Sequence, residues 1–174
     1  FTDVAVNANT YPVADNKSAI EFIKNKGNNS ATSLHPIGSL TKNAKSKDLA
    51  ELFDMQNSGA IAFSDYNKPL ANANLLKIAL QYAQNFDALV FSFPQDNSIA
   101  GEGLVNEHIN STKLGLKAIP SLAEEMQITR DLFLLEYTGG KLHIPTISTA
   151  KSVKLIKQAK KSGLNVTCSV AAHH

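Results

Sequence analysis

Six short apolar runs, at residues 2–6, 33–37, 60–64, 88–92, 142–147 and 166–170, each give way to a polar turn and then to a stretch of helical periodicity. An order of strand, turn and helix repeated in this way is the signature of βαβ units around a parallel sheet. Most successive runs begin about 25 to 30 residues apart, the length that a strand, a crossover helix and two loops require.

The intervening stretches carry start and stop signals for helices. After Asp15 and Asn16, residues 17–26 place Ile20 and Ile23 on one face and stop at Gly27. Ser46 is expected to cap a helix with Leu49, Leu52 and Phe53 inward, ending near Gly59, and residues 72–86 set Leu75, Leu76, Ala79, Leu80 and Ala83 at helical spacing. Ser121 followed by Glu124 reads as a capping box opening a long helix through Arg130 to Tyr137, closed by Gly139 and Gly140. Ser148 or Thr149 is expected to cap residues 151–162, with Val153, Leu155, Ile156 and Ala159 toward the sheet. Between the fourth and fifth runs, residues 96–120 are rich in Gly, Asn and Ser and read as a long loop of the functional or mobile kind.

A complete parallel (β/α) barrel takes roughly 250 residues. Six units in 174 residues therefore fit the middle of a TIM barrel, read here as one incomplete domain over residues 1–174. A doubly wound sheet would carry a Gly-rich phosphate turn after its first strand, and Gly101, Glu102, Gly103 is too short and badly placed to serve. A six-strand piece leaves parallel edges exposed, so either the gene continues on both sides or the fragment pairs with another copy. The opening on Phe1, with no initiating Met, agrees with an internal segment.

The formal charge of +2 comes from basic residues spread along helix-like stretches, such as residues 151–161, and not from a block interleaved with aromatics. Nucleic acid is therefore not expected as a partner. The single Cys168, in an apolar run, reads as a small buried hydrophobe. With no disulfide framework, leader or membrane-length apolar stretch, the expected location is the cytoplasm, with no membrane partner.

Several strings occur in a telling order. Asn9, Thr10, Tyr11, Pro12, Val13 and Asp15 follow the first run; Pro36 to Thr41 read Pro-Ile-Gly-Ser-Leu-Thr; Gly59 to Asp65 read Gly-Ala-Ile-Ala-Phe-Ser-Asp. Later come Ile119, Pro120, Ala123 and Glu124 with Arg130 and Asp131, then His143 to Ala150, then Val166 to His174. Together these resemble the multifunctional-complex type of dihydroorotase in the amidohydrolase superfamily, along nearly the whole chain. The resemblance implies a TIM barrel of metal-dependent hydrolase type, with this chain covering about strands two to seven. It also implies a cytoplasmic zinc hydrolase that interconverts carbamoyl aspartate and dihydroorotate in pyrimidine biosynthesis. In that chemistry a zinc-bound hydroxide attacks the amide carbonyl while a carboxylate shuttles the proton.

Ligands of the family's metals stand at the C-terminal ends of the strands. Where the family's fifth strand supplies a ligand histidine, this chain has Phe93; the sixth-strand ligand position is Thr146, and His143 is the other histidine of that motif; the fourth-strand acid corresponds to Tyr66, beside a surviving Asp65. The remaining ligands implied by the resemblance, a His-x-His pair and a last Asp, fall outside this sequence. Asn9 is kept as the implied donor to substrate, although Asn7 and Ala8 stand where Met-Pro is usual. At the seventh strand Ser169 replaces a glutamate and Ala172 a proline before His173.

Three substitutions that remove donors argue against a metal site, so no catalytic or metal residue and no cofactor is assigned to this chain. The expected role is a non-catalytic scaffold or regulatory partner for an aspartate transcarbamoylase, or for a second copy. The alternative is an active cyclic amidohydrolase with an altered zinc site using Asp65 or Asp96. Simpler readings stand beside these. His35 and His108 are loop or surface residues, and His143 is a hydrogen-bonded core histidine. His173 and His174 are more readily structural than ligands. Asp65 and Asp96 are loop caps, Glu124, Glu125, Arg130 and Asp131 are a solvated helix face, and Asn9 is an Asx-turn residue.

Overall fold

A computed structural model describes residues 1–28 and 30–172. His173 and His174 lie outside the described residues. Six strands form one sheet: β1 (Asp3–Val6), β2 (Ser33–Gly38), β3 (Ala62–Phe63), β4 (Leu89–Phe91), β7 (Lys141–Ile144) and β8 (Val166–Cys168). Their order in the sheet is β1-β2-β3-β4-β7-β8, and every pair is parallel. An order that never reverses has no topological switch point, so this is an arc of a barrel and not a doubly wound sheet.

Between the strands run α1 (Lys17–Gly27), α2 (Leu52–Asn57), α3 (Ala73–Gln84), α6 (Leu122–Thr138) and α7 (Ala150–Lys161). The caps read from the sequence hold at three of them. Asn16 accepts from Ala19 N, Asn72 from Asn74 N and Leu75 N, and Thr149 from Ser152 N. Leu75, Leu76, Ala79, Leu80 and Ala83 of α3 are all buried, and they join Phe63, Val90, Leu135 and Leu142 in a continuous core between helices and sheet.

Elsewhere the structure departs from expectation. Ser46 caps nothing: its N–H donates to Thr41 Oγ1 at 2.9 Å, a bridge joins Thr41 to Leu49, and α2 starts only at Leu52. The later start turns Phe53 outward, 47% exposed and edge-on to Phe86, while Leu52 and Met55 fill the core. Residues 96–120 are not one loop. They hold α4 (Asn97–Ala100), β5 (Val105–Asn106), α5 (Ile109–Lys113) and β6 (Ala118–Ile119), with β5 and β6 paired in a small parallel sheet of their own. Val153 is half exposed, leaving Ser152, Ile156 and Ala159 as the buried face of α7. Cys168 is exposed, because β8 is the last strand in the sheet order and buries only Val166.

Candidate functional site

The C-terminal ends of β1, β2, β3, β4 and β7 surround a cavity of 320 Å³ whose wall includes Ala5, Ile37, Ser64, Phe91 and Pro145. Tyr66, Phe93 and Thr146, the three positions singled out in the sequence, all line it. Asn7 and Asn67 complete its polar wall, a contribution that motif reading had not assigned. Apart from the Tyr66 phenol, no side chain lining this cavity is ionisable. Its polar groups are neutral amides and hydroxyls, which can hydrogen-bond a neutral ligand but bring no charge.

Two of the three positions are held in an uncommon backbone conformation. Tyr66 has φ 59° and Thr146 φ 52°. A β-branched residue such as Thr146 in the left-handed region is an outlier, and such strain costs about 1–3 kcal/mol. Pro145 ends β7 just before it, because proline has no N–H to continue the ladder.

The carboxylates and imidazoles weighed from the sequence, Asp65, Asp96, His143, His35 and His108, are committed elsewhere. Asp65, only 4% exposed, accepts from Ser39 Oγ (2.9 Å) and Thr41 N (2.9 Å) through Oδ1 and from Thr41 Oγ1 (2.5 Å) through Oδ2. It thereby ties the loop after β2 to the end of β3. Asp96 caps α4, accepting from Ser98 N, and hydrogen bonds from the Ser98 hydroxyl and backbone hold its carboxyl below the usual value. His143 on β7 bonds the hydroxyls of Thr167 (2.8 Å) and Ser169 (3.1 Å), and burial lowers its pKa. His35 pairs with Asp3 at 2.8 Å on the β2–β1 register, and His108 is the N-cap of α5.

Among the described residues no three His, Cys, Asp or Glu side chains come together to hold a metal ion. The donors that a tetrahedral zinc requires, imidazole, thiolate or carboxylate, are not what this cavity presents. Zinc therefore does not fit the residues present.

A second cavity of 530 Å³ shares Phe93 and Thr146 and is walled by Asn106, Glu107, Ile119 and Pro120 from residues 96–120. Glu124 stands at its edge. Instead of closing a capping box with Ser121, whose side chain caps nothing, the Glu124 carboxylate accepts from Ser148 N (3.0 Å), Ser148 Oγ (2.5 Å) and Thr149 N (3.2 Å). It thus supplies negative charge to the N-terminus of α7 from a neighbouring helix. Nor is the remainder of α6 a solvated face. Asp131 is 1% exposed and accepts from Ser92 Oγ (2.6 Å), Arg130 Nη2 (2.8 Å) and Gln127 Nε2 (3.3 Å). Burial raises the Asp131 carboxyl while Arg130 and the Ser92 hydroxyl oppose it.

Asn9 is exposed and lies on a smaller cavity of 150 Å³, which shares Tyr66 and Asn67 with the central one. The structure brings Tyr66, Phe93 and Thr146 together, and sets Asn9 across the Tyr66–Asn67 wall from the other two.

The family described as "Dihydro-orotase-like" matches residues 1–152. Among curated relatives, a dihydroorotase of Pelotomaculum thermopropionicum is 47% identical over 174 residues and one of Acetivibrio thermocellus is 42% identical over 175. Each alignment takes in 100% of this chain, and the chain spans 41% of each relative's length. Among solved structures, an L-hydantoinase from Arthrobacter aurescens superposes with a TM-score of 0.77 at 19% identity, over 98% of this chain and 40% of that one. A dihydropyrimidinase from Brevibacillus agri gives 0.67 at 19% identity, over 97% and 38%. At such identities these two likenesses concern the fold, a sector of the amidohydrolase barrel.

Proposed function

The chain belongs to the dihydroorotase-like family, and from that premise we propose that it serves pyrimidine biosynthesis without catalysing, as a dihydroorotase-like scaffold or regulatory partner. The observation that carries this reading is the convergence of Tyr66, Phe93 and Thr146 on one cavity that offers no carboxylate or imidazole. A hydrolase of this kind needs a metal to generate its nucleophile near neutral pH. Neutral donors cannot take that place, and Asp65, next in sequence to the cavity-lining Ser64, already has both oxygens engaged.

The partner that such a scaffold serves is an aspartate transcarbamoylase or a second copy of the chain, in the cytoplasm, with neither nucleic acid nor membrane involved. No helix among the described residues is long and apolar enough to cross a membrane. Asn9, exposed beside the Tyr66–Asn67 wall, is the residue proposed to contact any substrate-like ligand that still enters.

The reading is tested by restoring donors. In Tyr66→Asp, Phe93→His, Thr146→His, three ligand groups replace the residues lining one cavity, and zinc binding is expected there and not in the unaltered protein. Dihydroorotate turnover by the unaltered protein, abolished by a chelator, would overturn the proposal.

A further inference from the structure

Residues 101–119 add little to the core, since Ser111 alone among them is buried. They are nonetheless fastened along their length. Val105 pairs with Ala118 and Asn106 with Ile119, and the ladder runs on at both ends through Leu104 N to Lys117 O and Glu107 N to Ile119 O, each 2.9 Å. A Cβ at Gly103 would stand 2.3 Å from Ile119 Cγ1, so only glycine lets the two segments approach this closely. A further bond of 2.9 Å, from Asp96 N to Ala123 O, ties the start of the excursion to α6. What this excursion does build is a wall of the 530 Å³ cavity, through Asn106, Glu107, Ile119 and Pro120.

A cavity of that volume suits a small organic molecule, and its charge narrows the class. No Lys, Arg or His lines it, whereas two glutamates do. The Glu124 carboxylate is already engaged by Ser148 and Thr149 at the start of α7. Glu107 takes part in none of the described ion pairs, and the β5–β6 ladder fixes its backbone at the wall. Two further acceptors line the same cavity, the Asn106 side-chain carbonyl and the hydroxyl of Ser121, which caps no helix. Three acceptors on separate residues match the three N–H donors of an ammonium group. Phe93, Ile119 and Pro120 supply apolar surface, and an aromatic ring such as Phe93 attracts a cation. An anion entering here would meet carboxylates and no compensating base, the opposite of what a carboxylated substrate such as dihydroorotate requires.

We propose that this cavity binds a small organic cation, a primary ammonium carried on an apolar body, with Glu107 as its counter-ion. The site is independent of the non-catalytic reading. A protein that turns over dihydroorotate and still binds the amine would overturn that reading alone. The probes are phenethylamine, protonated at neutral pH, and phenylpropionate, which carry opposite charges on the same aromatic body. Isothermal titration of the unaltered protein is expected to show the amine bound at least tenfold more tightly than the acid, and several-fold more weakly as salt is raised. Glu107→Gln should lose about tenfold in affinity for the amine, and Glu107→Lys should reverse the preference in favour of phenylpropionate. Because Glu107 is exposed, neither substitution should move Tm. Amide NMR shifts on adding phenethylamine should centre on Asn106, Glu107 and Ser121. No binding of phenethylamine at millimolar concentration, equal affinity for amine and acid, or an undiminished affinity in Glu107→Gln would each overturn the proposal.

Discussion

Replacement of Asp65 by Ala separates a structural carboxylate from a catalytic one. In the structure both oxygens of Asp65 accept buried hydrogen bonds, from Thr41 N, Thr41 Oγ1 and Ser39 Oγ. The Ser39 hydroxyl has a fallback, since Thr41 O lies 2.7 Å away. Truncation therefore strands two donors, both on the fully buried Thr41. Each bond to a charged group contributes about 1.5–3 kcal/mol, and a stranded buried donor costs about as much. The expected loss is about 3–5 kcal/mol, which for a chain of this size lowers Tm by ~6–20 °C. Asp65→Asn keeps one acceptor and should fall between. Thermal unfolding followed by circular dichroism measures both. A Tm within ~2 °C of the unaltered protein would refute the clamp. If hydrolysis disappeared at the same time, the altered-site reading would gain its strongest support.

His143 should make stability depend on pH. Burial lowers its pKa, so the folded state favours the neutral ring and this stability is present above the unfolded value of about 6.5. It is lost as pH falls through the folded value, and Tm measured from pH 7.5 down to 5 should drop less in His143→Gln. Glu124→Ala leaves Ser148 N and Thr149 N without their acceptor at the start of α7 and should cost about 1–3 kcal/mol; hydrogen exchange at those amides should accelerate, and unchanged protection would count against the clamp. Thr146→Gly relieves the positive φ and should raise Tm by a few degrees, about 1 kcal/mol, whereas a fall would mean that its hydroxyl or methyl contributes more than its backbone costs.

Local features of the fold were legible in the sequence. Asn16, Asn72 and Thr149 cap helices because an N-cap bond spans only two or three residues. The strands were equally plain as apolar runs before polar turns. The features that escaped depend on distant partners. Glu124 carries the spacing of a capping box, yet its donors are Ser148 and Thr149 on another element. Asp131 reads as a surface acid until Ser92, 39 residues away, is brought to it. Cys168 sits in an apolar run, but its exposure follows from the place of β8 in the sheet. Periodicity alone could not have joined Tyr66, Phe93 and Thr146; the family resemblance nominated them separately, and their common cavity emerged only from the strand order.

The central claim, that the cavity at the strand ends no longer holds a metal, is tested most directly by the zinc content of the purified protein after dialysis against zinc and removal of the free ion. The account predicts substoichiometric zinc that Asp65→Ala does not alter. One or two zinc ions per chain, lost when Asp65 is replaced, would contradict it.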